Sequence, residues 1–147
     1  MTELIVIAAL LVLWLIFRQR GQKRESIKSQ HPAHHWTDNG NFDFEVVGES
    51  SYQPALKKIA NSATENLTAL LVPEPDNAHD KLAVAVYISA LKVGYLSRDD
   101  AQDFHERLRD KGLAAQITSC DVRIYGGGQK NGKKLMLGVW LDMKPFN

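Results

Sequence analysis

The chain opens on an uninterrupted apolar stretch: Leu4 to Phe17 is fourteen hydrophobic residues without a charge or a helix breaker. A helix buried in a water-soluble core would show a polar face, and this run has none. A cleaved leader would begin with positive charge and end at a small-residue cleavage site. Here the start is Met1-Thr2-Glu3 and the end is Leu15-Ile16-Phe17-Arg18. A full span usually takes about 20 residues, but polar neighbours can lengthen it, with Arg18 and Arg20 reaching toward headgroups. The pattern therefore predicts an uncleaved transmembrane helix over 1–20, contacting the bilayer through 4–17, with Trp14 at its interfacial end. Residues 21–40 lack apolar periodicity, and Gly21, Ser26, Ser29, Pro32, Asn39 and Gly40 mark a polar linker.

From residue 41 the pattern is that of one small domain, 41–147. Phe42, Phe44 and Val46 alternate with Asp43 and Glu45, the period of a half-buried strand. Over 53–63, Ala55, Leu56, Ile59, Ala60 and Ala63 fall at helical spacing, with Pro54 suited to the first turn. Strands are predicted at 67–72, 82–88 and 93–96. Ser97 with Asp100 forms a capping pattern, and Ala101, Phe104 and Leu108 form the stripe of a second helix that stops at Gly112. Two further strands, 117–125 and 135–143, flank a glycine- and lysine-rich hairpin loop over 126–134. The order β-α-β-β-β-α-β-β has connections too short for parallel crossovers. It predicts an α+β, mainly β fold: a small curved antiparallel sheet or barrel carrying two helices.

Charge sharpens this picture. The 147-residue chain is +1 overall, yet Arg18, Arg20, Lys23, Arg24 and Lys28 face only Glu25 within 18–28. With those cations C-terminal to the apolar run, the positive-inside rule places the domain in the cytoplasm. The basic segment reads as a topology signal, with a lipid or nucleic-acid contact as the other reading. Residues 41–147 hold 13 Lys/Arg against 14 Asp/Glu, which excludes a broad basic surface coating duplex DNA. Any nucleic-acid binding must use a local pocket. A single cysteine, Cys120, rules out an internal disulfide. His31, His34 and His35 lie in the linker without supporting ligands nearby, so no metal site and no cofactor is expected.

Enzyme signatures are missing. There is no G-x-S-x-G elbow, no H-E-x-x-H and no phosphate-cradling G-x-x-x-x-G-K-[ST]. Cys120 falls mid-strand as a core residue. Asp76 with Asp80, and Asp99 with Asp103, read as solvated carboxylates. The expectation is a non-catalytic module.

Three stretches taken in order resemble the HIRAN domain family: Val47-Gly48-Glu49-Ser50-Ser51-Tyr52-Gln53; Val72-Pro73-Glu74-Pro75-Asp76-Asn77-Ala78-His79-Asp80-Lys81; and Lys92-Val93-Gly94-Tyr95-Leu96-Ser97-Arg98. The last strand, Gly138-Val139-Trp140-Leu141-Asp142, is also similar, so the resemblance spans 42–143. It implies an OB-like barrel and, from helicase-linked members, a pocket for the free 3′ end of single-stranded DNA. The acidic residue of the Asn-x-x-Asp-Lys segment, which accepts from the terminal hydroxyl, falls on Asp80. Asn77 opens that segment, the aromatic position before the acid falls on His79, and the basic end of the third stretch falls on Arg98. The base-stacking tyrosine of the helicase-linked form falls on Ser51, and its arginine neighbour on Ser50.

A 3′-end pocket needs a hydroxyl acceptor, a flat partner for the base and a cation for the phosphate. Asp80 suits the first role, Tyr52, His79 or Tyr95 the second, and Arg98 or Lys81 the third, with Ser51 as a phosphate donor. Each has a plainer reading: Asp80 as a turn former, Ser51 as a helix cap, Tyr95 as a core residue with its hydroxyl at the rim. The leading expectation is a membrane-tethered module binding single-stranded nucleic-acid ends. The alternative is a protein- or lipid-interaction adaptor on the cytoplasmic face, using the same groove.

Overall fold

The computed structural model describes residues 2–28, 30–62 and 66–146. Ser29 of the linker and Ala63 of the first predicted domain helix lie outside the described residues. The chain divides into two units, 1–30 and 31–147.

The first unit is one helix, α1 (Thr2–Lys28), which continues through the polar stretch read as the start of the linker. Ile5 to Phe17 are exposed along it, apart from contacts such as the Arg18 guanidinium 5.1 Å from the Trp14 ring. Among the described residues, no helix is long and apolar enough to cross a membrane. The reason is length: at 1.5 Å per residue the apolar run measures about 21 Å, against a hydrocarbon core of about 30 Å. The expected complete transmembrane helix is therefore not supported.

The second unit is mainly β. In order it contains β1 (His35–Trp36), β2 (Phe44–Glu45), a short 3₁₀ turn (Glu49–Tyr52), α2 (Gln53–Ser62), β3 (Leu67–Pro73), β4 (Val84–Ile88), β5 (Leu91–Tyr95), α3 (Arg98–Asp110), β6 (Thr118–Gly126), β7 (Gln129–Lys130), β8 (Lys133–Lys134) and β9 (Leu137–Leu141). The main sheet runs β2-β9-β6-β3-β4-β5, antiparallel throughout, with β1 added in parallel beside β6. It curls into a half-barrel. Its two ends meet at one bridge, where Val47 and Tyr95 exchange N–H···O bonds of 2.9 Å in each direction. Gly94 makes that approach possible, because a Cβ there would come within 2.5 Å of the Val46 side chain and 2.6 Å of the Val47 carbonyl oxygen.

The core fills the curl. Val84, Val86, Ile88, Val93, Cys120, Val122, Val139 and Leu141 line it from the strands, Leu56 and Ile59 from α2, and Ala101, Phe104 and Leu108 from α3. The α3 stripe follows the predicted spacing. Its start is capped as the sequence pattern requires: Ser97 Oγ accepts from the Asp100 N–H at 3.1 Å and donates to Asp100 Oδ2 at 2.6 Å. Burial pushes the Cys120 thiol far up, which suits a core residue.

β1 carries Trp36 into the core, where its indole N–H donates to Thr118 Oγ1 at 2.8 Å. The three linker histidines do not converge. His34 packs edge-on against Trp36, and His35 Nδ1 lies 2.9 Å from Ser119 Oγ. Just after β1, the buried Asp142 carboxylate collects the Thr37 hydroxyl at 2.9 Å and the backbone N–H groups of Asp38 at 3.1 Å and Gly40 at 2.9 Å. Burial pushes this carboxyl up. Donors from Thr37, Gly40, Asp38 and Phe42 outweigh it and hold it below the usual aspartate range.

Candidate nucleic-acid interface

The loop between β3 and β4 is where the chemistry gathers. Pro73 ends β3, and the chain must turn through Glu74–Ala83 before re-entering the sheet. The turn is built around Asn77. Its Oδ1 accepts from the N–H groups of His79 (2.9 Å) and Asp80 (3.2 Å), an Asx-type arrangement that folds the loop onto itself. Asp80 Oδ1 in turn accepts from Leu82 N–H at 2.9 Å. The plainer reading of Asp80 as a turn former is thus half of its role. Its second oxygen, Oδ2, faces Arg98 Nε at 4.0 Å.

Asp80 lines a cleft of about 380 Å³ together with Tyr52, Asn77, His79, Tyr95 and Arg98, with Ala83, Leu96 and Ala101 supplying its apolar wall. Six of the eight residues singled out in the sequence meet there. They come from four places: the 3₁₀ turn, the β3–β4 loop, the end of β5 and the first residue of α3. The other two do not line it. Ser51 and Lys81 are exposed and are not among the residues that line it. Tyr52 takes up a neighbouring place, its ring centroid 6.4 Å from that of Tyr95 at 56°.

Behind the cleft lies a polar support that the sequence reading missed. Glu74 Oε1 accepts from Lys92 Nζ at 2.9 Å, while Glu74 Oε2 accepts from the Tyr95 hydroxyl at 3.2 Å and from Asn77 Nδ2 at 3.1 Å. Lys92 also donates to the Tyr95 oxygen at 2.6 Å and lies 4.6 Å from that ring's centroid. One carboxylate thus ties the loop hub, Asn77, to the aromatic wall, Tyr95. Both Glu74 and Lys92 fall inside the motif stretches, but a lone Glu and a lone Lys read as surface charges until the fold brings them together. Burial, then the neighbouring Tyr95, raises the Tyr52 phenol. Burial pushes Tyr87 up to about 12 against the opposing pull of Lys92. Both therefore stay protonated at neutral pH.

Two larger grooves, of about 480 and 530 Å³, lie along β6 and between α2 and the residues flanking the β7–β8 hairpin. The smaller cleft is the better candidate because it alone of the three combines a carboxylate, a cation and two tyrosine rings. Arg98 is 83% exposed in its side chain and so is available to a ligand phosphate. Among the described residues, no group of His, Cys, Asp and Glu is arranged to hold a metal ion.

The HIRAN domain family model matches residues 39–144. No curated protein and no solved structure matches the chain. The match takes in the β3–β4 loop, the Tyr95 strand end, the start of α3 and nearly the whole half-barrel, and on that ground the chain belongs to the HIRAN domain family, whose members bind nucleic acid.

Proposed function

We propose that this chain is a non-catalytic module that captures the 3′ end of a single-stranded nucleic acid in the Asp80 cleft. The observation that carries the reading is the convergence of Asp80, Arg98, Tyr52 and Tyr95 on one cleft of nucleotide-like size. Asp80 Oδ2 accepts from the terminal hydroxyl. Arg98 holds the adjacent phosphate as a charge-assisted partner. The tyrosine pair offers a face to the terminal base, a contact worth about 1–3 kcal/mol per base. Asn77, already engaged through its oxygen and its amide, shapes the loop and contributes little to the ligand directly.

The test is a titration of the chain with short oligonucleotides ending in a 3′-hydroxyl or a 3′-phosphate. A second negative charge beside Asp80 is repelled, so the hydroxyl form binds more tightly. Equal affinity for the two ends, with wild-type affinity retained by Asp80→Ala, overturns the reading.

The same proposal holds the chain at a membrane through α1, single-pass and with the domain in the cytoplasm. Support comes from the exposed apolar run Ile5–Phe17 and the cations that follow it. A run of this length spans only with local bilayer thinning or snorkelling of its flanks. Recovery of the chain from the aqueous phase after cell fractionation, without detergent, would remove this part.

A further inference from the structure

A second charged surface lies away from the cleft. Between Asp121 and Asp142 the sequence has no acidic residue but four basic ones, Arg123, Lys130, Lys133 and Lys134. The three lysines sit on the β7–β8 hairpin. Its two-residue turn, Asn131-Gly132, has positive φ at both positions (53° and 74°), the conformation that suits a tight hairpin. Every residue from Gly128 to Met136 is exposed. Immediately after the lysines come two large aliphatic side chains in water: Leu135 is 44% and Met136 55% exposed. They line a groove with Lys57 and Lys134.

Neither side chain serves the core or the cleft. Lysines alone would suit any polyanion, but a leucine and a methionine standing beside them gain from entering hydrocarbon and gain nothing from a sugar–phosphate chain. Basic residues over exposed aliphatics are the composition that binds an anionic bilayer surface, charge drawing the segment in and apolar side chains dipping below the headgroups. We propose that the β7–β8 hairpin with Leu135 and Met136 is a peripheral docking surface for anionic lipid. It adds to the membrane contact proposed for α1.

The test uses the full chain with Met136→Cys labelled by an environment-sensitive fluorophore; the native Cys120 is buried and stays unlabelled. Vesicles of phosphatidylcholine alone are compared with vesicles containing equal phosphatidylglycerol. The expected result is a blue shift with the anionic vesicles only. The shift is lost in K130E/K133E/K134E, while that variant keeps its preference for 3′-hydroxyl oligonucleotides, which shows that it is folded. A chain that sediments with anionic vesicles while the probe stays unshifted overturns the proposal. So does a probe that responds to an oligonucleotide and not to vesicles. Loss of end preference with the lipid-induced shift intact removes the cleft reading and leaves this one standing.

Discussion

Two aspartates mark the two ends of what a carboxylate can do in this half-barrel. Asp142 is buried and surrounded: one hydroxyl and two backbone N–H groups point at it within 3.1 Å. Asp80 is at a rim, with one oxygen occupied by Leu82 N–H and the other facing an exposed arginine at 4.0 Å. The first is saturated and fastens the segment after β1 to the end of β9. The second holds its turn through one oxygen and faces Arg98 with the other, and its residue lines the cleft. A charged group that holds a fold together is satisfied from within; one proposed to meet a ligand is held still by part of its valence.

The sharpest way to break this contrast is Asp142→Ala. It strands the donors of Thr37, Asp38, Gly40 and Phe42, and unfolding in urea should show a loss of roughly 3 kcal/mol, with oligonucleotide affinity per folded molecule unchanged. The pH dependence has a defined sign. Because the native Asp142 carboxyl lies below its ordinary value, its contribution is complete above about pH 3.9 and is lost as pH falls through the lower native value. Asp142→Asn should flatten that acid limb.

Glu74→Gln tests the middle ground, since Glu74 supports the cleft without lining it. Removing the partner of the partly buried Lys92 should lower stability by about 2 kcal/mol and also weaken oligonucleotide binding through Tyr95 and Asn77. A normal affinity would show that the support behind the cleft is merely structural. Asp80→Asn keeps the carbonyl for Leu82 N–H and should leave the urea midpoint nearly unmoved. Its affinity for 3′-hydroxyl ends should fall about tenfold, or about 1.4 kcal/mol, as read by fluorescence anisotropy. A large drop in stability instead would place Asp80 with Asp142 among the fastening residues. The smallest effect is expected from Arg98→Ala: an affinity loss of about threefold and a salt slope shallower by about 1, with no change in unfolding.

Much of this is legible in the sequence. Strict alternation marks β2 and β6, and Ser97 with Asp100 announces α3. The six cleft residues could be named because three loop-and-strand-end stretches carry them in order. What stayed hidden depends on distant partners. His35–Trp36 is too short for a period-two signal, and its pairing exists only because β6, more than eighty residues later, lies beside it. Asp142 reads as a polar strand end until Thr37–Gly40 folds over it. Glu74 and Lys92 look solvated when each is viewed alone. The fourteen-residue apolar run is clear as a helix, while a full span is not supported at its length: composition declares apolarity, and length sets how far a run reaches.

The single bridge at Val47 and Tyr95 has a consequence for the proposed capture of a nucleic-acid end. Tyr52 follows one side of that seam and Tyr95 ends the other, so a base resting on both rings acts as a staple across it. Occupancy and closure are then thermodynamically linked: the Val47 and Tyr95 amides should trade deuterium more slowly when an oligonucleotide is bound, and any side chain forced in at Gly94 should loosen the grip without touching the ligand.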